Sequence, residues 1–325
     1  MIAYLHGVAC SCGVRFIAAA PMAPWLERVT AGAGRPLAVP PRLPAPPTLT
    51  LPASLRPNAT ALAKSSQPTA RIDLLPLPGE RAAREAAAMA AARRAGVPVP
   101  PTWLRGVSHG RPVAVIGWVP GRTILEALRV APWQVWPLGV AFGEAQARLH
   151  RVEAPPSMPG PGAWIDLMDW GDRDAAGSPW PTSGARVRDA LHADAAKAPR
   201  ALLHLDFHPA NVLVDGVGRV TGVIDWANAV AGPPVADLAR TWAIFATALV
   251  PPGWGAATTR VVLRVLVSAW QSGYRRAGGV IPGRGAMAPW VAWAARWIAA
   301  EAVGREGPST LVAASARRWV ASWHA

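Results

Sequence analysis

The residues best suited to chemistry in this sequence are His204, Asp206, Asn211 and Asp225. His204-Leu205-Asp206-Phe207-His208-Pro209-Ala210-Asn211 has the form H-x-D-x-x-x-x-N. An apolar approach, Ala201-Leu202-Leu203, leads into it. Two short strands follow, at 212–214 and 220–224, around the hairpin signal Asp215-Gly216. The second strand ends in Asp225, and a hairpin returns the chain to its starting edge, beside Asn211. The set is therefore a carboxylate, an amide and a second carboxylate. Such oxygens can orient a hydroxyl and hold a hard cation, which is most of what phosphoryl transfer asks of a protein. Singly, each residue has a plainer reading: Asp206 as a turn or cap residue, His204 as a satisfied core histidine. Order, spacing and the strands between them make the set specific.

The run HLDFHPANVLVDG…VTGVIDWANAVAGPPVADLAR resembles the aminoglycoside phosphotransferase, choline kinase and related antibiotic-kinase group, with the likeness reaching from about Glu80 onward. The resemblance implies an α+β, protein-kinase-like two-lobed fold, with a small mixed N-terminal lobe and a large helical C-terminal lobe that carries the catalytic β-hairpin. It implies ATP- or GTP-dependent transfer of the γ-phosphate to a hydroxyl of a small molecule such as an aminoglycoside, an amino alcohol or another antibiotic or metabolite. The catalytic positions carried over are Asp206, which would orient or accept the hydroxyl proton, and His204, which would brace the loop. Asn211 and Asp225 would hold Mg²⁺, and His208 would approach substrate or phosphate. Asp237 reads from the sequence as a first-turn carboxylate favoured by the helix dipole; the matching family residue also braces the catalytic loop.

Nucleotide binding is carried by weaker signals. Val115-Ile116-Gly117-Trp118-Val119-Pro120-Gly121-Arg122 resembles an interlobe hinge, where the main chain of Gly117 and Val119 would meet the adenine edge. Gly117 stands where the family usually carries Glu. Glu85 matches the helix glutamate that pairs with a phosphate-binding lysine, although Glu80 is close by. Lys64 has the right head group and Arg71 the better strand context, and an arginine is not an equivalent point charge. Ala31-Gly32-Ala33-Gly34 lacks flanking strands and does not make a phosphate loop. A pseudokinase-like binding protein with an eroded nucleotide lobe is the alternative, and a third reading takes residues 1–70 as no native protein at all.

The elements that must position these residues follow from local patterns. Residues 1–70 read as a disordered or irregular Pro-rich extension, with eight prolines between 34 and 57. A reduced N-terminal lobe is expected at 71–118 and a helical catalytic lobe at 119–325. The pattern predicts a strand at 71–77, a helix at 80–95 stopped by Gly96 and Pro98, and a buried strand at 112–116. It predicts further helices at 138–151, 187–196, 235–249, 259–277, 289–303 and 313–322.

Composition bounds the partners. The chain has 325 residues, a net charge of +14 and a pI near 11.5. Of its 33 basic residues only Lys64 and Lys197 are lysine. The arginines are scattered singly or in pairs, so neither nucleic acid nor a membrane surface is the expected partner. Cys10 and Cys12 alone build neither a zinc site nor a disulfide framework, which fits a cytoplasmic protein. Residues 1–26 lack a basic n-region and Arg15 interrupts their apolar run, against an export signal. A monomer or weak dimer is expected. Asp166, Asp169, Asp172 and Asp174 suit a cationic acceptor or form a solvated loop, and Trp164, Trp170 and Trp180 would instead stack a large apolar ligand.

Overall fold

The computed structural model describes residues 15–18, 70–74, 79–108, 111–117, 119–167, 183–247, 255–302, 315–316 and 318–321. Lys64, Cys10, Cys12, Trp170, Trp180, Asp169, Asp172, Asp174 and the 34–57 proline stretch lie outside them. The chain divides into two units, Met1–Ala86 with Val99–Pro120, and Ala87–Pro98 with Gly121–Ala325.

The first unit is built on a four-stranded antiparallel sheet ordered β1-β2-β4-β3, from β1 (Arg15–Ala18), β2 (Ala70–Leu74), β3 (Thr102–Ser108) and β4 (Arg111–Gly117). β1 lies inside the segment expected to be irregular and pairs with β2, Arg15 opposite Asp73. β4 carries Pro112, which has no N–H to give. β2 pairs with β4 only from Leu74↔Val113 to Ala70↔Gly117, so the proline falls just past the end of that ladder. Helix α1 (Gly79–Arg94) starts in this unit, and its part from Ala87 onward belongs to the second.

In the second unit α1 buries Ala88, Met89, Ala91 and Ala92. It stops as a Schellman motif: Gly96 adopts φ 77°, Val97 N donates to Ala92 O, and Gly96 N donates to Arg93 O. β5 (Arg122–Thr123) pairs with β7 (Val212–Val214), which pairs with β8 (Val220–Val223). Gly121, at φ 127°, lets β5 approach β7, since a Cβ there would overlap the Val214 carbonyl. Thr123 and Glu126 form a reciprocal capping box that starts α2 (Ile124–Val130). α3 (Val135–Leu149), the short α4 (Pro161–Ile165) and α5 (Gly184–Ala195) follow. β6 (Ala201–Leu203) pairs with β9 (Val230–Gly232), and the helices α6 (Pro234–Thr247), α7 (Ala256–Arg276) and α8 (Arg284–Ala302) come last.

α3 and α7 pack with their backbones in contact. A Cβ on Gly143 would overlap the Trp270 carbonyl and lie 2.6 Å from Tyr274 N; one on Gly273 would overlap the Val140 carbonyl; one on Gly139 would lie 2.6 Å from Ala269 Cβ. This close approach lets side chains further along the two helices meet. α7 ends on a second Schellman motif, with Gly278 at φ 83°, Gly278 N donating to Arg275 O and Gly279 N to Tyr274 O. Among the described residues no helix is long and apolar enough to cross a membrane.

Candidate active site

The loop from His204 to Asn211 leaves β6 and enters β7, so the β6–β9 and β7–β8 pairings hold its two ends. The chain turns sharply at Leu205, whose φ of 57° places a branched, fully buried residue in the left-handed region. That conformation costs an L-residue about 1–2 kcal/mol. α6 holds it from both sides: Asp237 Oδ1 accepts Leu205 N at 2.6 Å, and Arg240 Nε donates to Leu205 O at 3.0 Å. Thr241 Oγ1 adds a bond to Phe207 O at 2.9 Å, and Leu125 N, from α2, donates to Pro209 O.

His204 lies beneath this turn, fully buried. Its Nδ1 accepts Asp206 N at 3.3 Å, and its Nε2 meets Ile224 O at 3.0 Å. An amide only donates and a carbonyl only accepts, so the ring is the neutral Nε2–H tautomer. Burial pushes its pKa down, in keeping with that. Phe207 and Trp226 pack on the ring. With both nitrogens given to main chain, His204 braces the loop and does not reach a substrate.

Asp206 points the other way, its side chain 18 % exposed. Burial pushes its carboxyl up, but His208 and Arg240 outweigh that and hold it at about 2. Asn211 Nδ2 donates to Asp206 O at 2.9 Å and to Asp206 Oδ2 at 3.2 Å. His208 Nε2 lies 3.2 Å from that amide nitrogen and 3.6 Å from Asp206 Oδ2. Because the amide end of Asn211 is committed to Asp206, its carbonyl oxygen is the end left for a cation. Asn211 O accepts Ile224 N at 2.9 Å, continuing the β7–β8 ladder, so Asp225 is the next residue along from Asn211's partner. Asp225 also sits in the left-handed region, at φ 67°, where aspartate is among the better tolerated residues.

These residues fit Mg²⁺. A carboxylate and a carboxamide oxygen from either side of a hairpin are hard donors, and Mg²⁺ takes few protein ligands because phosphates and water complete its shell. Among the described residues no cluster of three or more His, Cys, Asp or Glu forms a closed cage, and a nucleotide-borne ion does not need one.

The residues expected to bind nucleotide lie elsewhere. Gly117 ends β4 opposite Ala70, and Val119 follows it. Arg71 is in β2, opposite Ile116, and Glu85 is half-buried in α1. Trp164 does not stack a ligand as one reading had it. It is 3 % exposed, donates its Nε1 to Ala231 O and packs against Trp293 and Trp290, because α4 lies against β9 and α8. The exposed Asp166 pairs through Oδ1 with His192 Nε2 at 2.9 Å.

Sequence reasoning passed over the residues behind the loop: Arg240, Thr241, Gln146, His150 and Tyr274. A usable signal existed for two of them. Gln146 and His150 are polar residues four apart on the same face of α3 as Phe142 and Leu149, and polar side chains on a buried face need partners.

The matching family model is described as the phosphotransferase enzyme family and covers residues 70–290. A candidate aminoglycoside phosphotransferase from Ralstonia eutropha JMP134 is 16% identical, covers 78% of this chain and 84% of its own, and superposes with a TM-score of 0.54. The aminoglycoside phosphotransferase of Streptomyces rimosus ATCC10970, in complex with ADP and streptomycin, is 18% identical over 70% of this chain and 86% of that one, at a TM-score of 0.48. The uncharacterized protein YcbJ of Bacillus subtilis (strain 168) is 42% identical over 45 residues, and this chain spans only 15% of its length. With a family model over most of its length and the loop-and-hairpin geometry just described, the chain belongs to the phosphotransferase enzyme family.

Proposed function

We propose that the chain transfers the γ-phosphate of ATP or GTP to a hydroxyl of a small molecule, with Asp206, Asn211 and Asp225 as the reacting centre. The observation that carries this is Asn211. Its side-chain amide ties down the Asp206 carboxylate while its main chain pairs with Ile224 beside Asp225, so one residue links the hydroxyl-orienting group to the metal-holding pair.

Asp206 receives the acceptor hydroxyl. A carboxyl held at about 2 is ionised throughout the neutral range and is a weak base. It therefore orients the hydroxyl by accepting its hydrogen bond and takes the proton only once bond formation to phosphorus has made the oxygen acidic. Loose phosphoryl-transfer transition states ask for this late proton transfer. Asn211 and Asp225 would hold Mg²⁺, which supplies charge neutralisation on the phosphate oxygens. His204 and Asp237 keep the loop in its strained turn. Gly117 and Val119 would offer main-chain groups to the base, and Glu85 would orient a phosphate-binding cation from Arg71 or Lys64. The acidic residues 166–174 favour an acceptor that carries amino groups.

The test is nucleotide consumption by the full chain with Mg-ATP and Mg-GTP, against a panel of aminoglycosides, amino alcohols and amino sugars. Acceptor-dependent release of nucleoside diphosphate, with phosphate recovered on the acceptor, is the expected result. No transfer to any acceptor, together with no rise in Tm on adding Mg-nucleotide, would remove the proposal.

A further inference from the structure

Behind the catalytic loop lies a buried polar chain that no sequence motif announces. Asp237 Oδ2, on the far side from Leu205, is met by His150 Nε2 at 2.9 Å and by Gln146 Nε2 at 3.3 Å. A carboxylate only accepts, so His150 donates from Nε2. Its other nitrogen, Nδ1, lies 2.7 Å from the Tyr274 hydroxyl. Gln146 in turn donates to Thr241 and accepts Trp270 Nε1 at 2.7 Å. His150 and Tyr274 thus connect α3 and α7 to the carboxylate on which Leu205 hangs.

We infer that His150 and Tyr274 are positioning residues for phosphoryl transfer, setting the Asp237 carboxylate that holds the Leu205 turn and thereby aiming Asp206. The inference rests on the proposed function for its catalytic consequence, though not for its structural one.

Three features distinguish this from ordinary core filling. Asp237 is fully buried, and an anion there must be matched by donors. Without His150 the only other side-chain donor to Oδ2 in the chain just traced is Gln146, at the longer 3.3 Å. Second, the Leu205 turn does not hold itself, because a leucine has no intrinsic preference for positive φ. Any shift of Asp237 frees the N–H of the residue immediately before Asp206 and leaves Arg240 alone to hold its carbonyl. Third, the Tyr274 hydroxyl is fixed by packing and not by chance: its ring lies over Gly279, where a Cβ would overlap it, and the ring edge meets His150 with centroids 5.6 Å apart. Burial and Asp237 push the Tyr274 hydroxyl up, so it stays protonated as a donor.

The test compares the full-length parent with His150→Phe, His150→Gln and Tyr274→Phe by two readouts. One is kcat and Kd for Mg-ATP with a working acceptor. The other, independent of activity, is hydrogen exchange of the loop peptide around Leu205 relative to the β7–β8 hairpin. Expected for His150→Phe is a kcat loss of about tenfold to a hundredfold with nucleotide Kd unchanged, and faster exchange confined to the loop. His150→Gln, which keeps a donor toward Asp237, should recover most of both, and Tyr274→Phe should lose less than His150→Phe. Faster loop exchange in a protein whose parent transfers no phosphate would sink the proposed function and leave the positioning pair standing. If His150→Phe lowers Tm alone, with kcat and loop exchange as in the parent, the inference is wrong.

Discussion

Two carboxylates, Asp206 next to Leu205 in the chain and Asp237 bonded to the Leu205 N–H, sit in opposite surroundings. Asp206 opens outward, partly exposed, and is held by an amide and an imidazole on its own loop. Asp237 is sealed in, and its partners come from two other segments: Leu205 in the loop, and Gln146 and His150 at the end of α3. Burial pushes its carboxyl up too, but the hydrogen bonds from His150 and Gln146 more than offset that, so it stays below the ordinary range. The difference separates work from support. A group that must accept a proton needs access and local tuning, whereas a group that must fix a turn needs donors on every side and no water.

Substitutions at the two should therefore fail in different ways. Asp206→Asn should lower kcat by about 10²–10⁴-fold while leaving Mg-nucleotide affinity and fold intact, read by steady-state kinetics and titration. Turnover equal to the parent on a genuine acceptor would strip Asp206 of its role. Asp237→Ala should instead lower stability by about 3 kcal/mol or more, because three buried donors lose their acceptor; urea denaturation measures it. A variant as stable as the parent would show that the sealed carboxylate is not support.

The helix pair behind Asp237 offers a finer cut. Gly143→Ala puts a methyl into the α7 backbone and should cost about 1–3 kcal/mol. Gly162→Ala, where no atom lies within 4 Å of the added methyl, should cost nothing or gain a few tenths of a kcal/mol. Equal effects at the two sites would contradict the backbone contact between α3 and α7.

The smallest expected effect is an absence. Asp206 is depressed in the folded state relative to an ordinary aspartate near 3.9. Its contribution to stability is then complete above about pH 4 and is lost as pH falls through about 2. Between pH 5 and 8 kcat should show no acid limb from this group. A limb in that window, tracked by a carboxyl carbon resonance of Asp206, would contradict its assigned state.

The same contrast explains what the sequence disclosed. Asp206 and its partners His208 and Asn211 lie within five residues of one another, and the hairpin that returns Asp225 is equally local, so linear spacing revealed them. The support is distributed: His150 and Asp237 are 87 residues apart, His150 and Tyr274 124. No linear pattern encodes such meetings; they depend on the α3–α7 register that Gly143 and Gly273 allow. The stops of α1 and α7 were legible because Gly96 and Gly278 are needed at positive φ. The three-residue strands β6 and β9 were not, since so short a run carries no periodicity. α8 was expected to begin at Pro289, but it starts at Arg284 with the proline inside; the N–H that Pro289 lacks would have met the carbonyl of Gly285, an exposed residue.

The centre itself is tested most directly without any acceptor. Calorimetric titration of Mg-ATP into the parent and into Asp225→Ala isolates the proposed metal ligands, Asn211 and Asp225, from the carboxylate proposed to orient the hydroxyl. A metal site at Asn211 and Asp225 predicts measurable Mg-dependent binding by the parent and at least about a tenfold weakening in Asp225→Ala, with the loss disappearing when Mg²⁺ is omitted for both. Identical Mg-ATP affinity in the two proteins would contradict it.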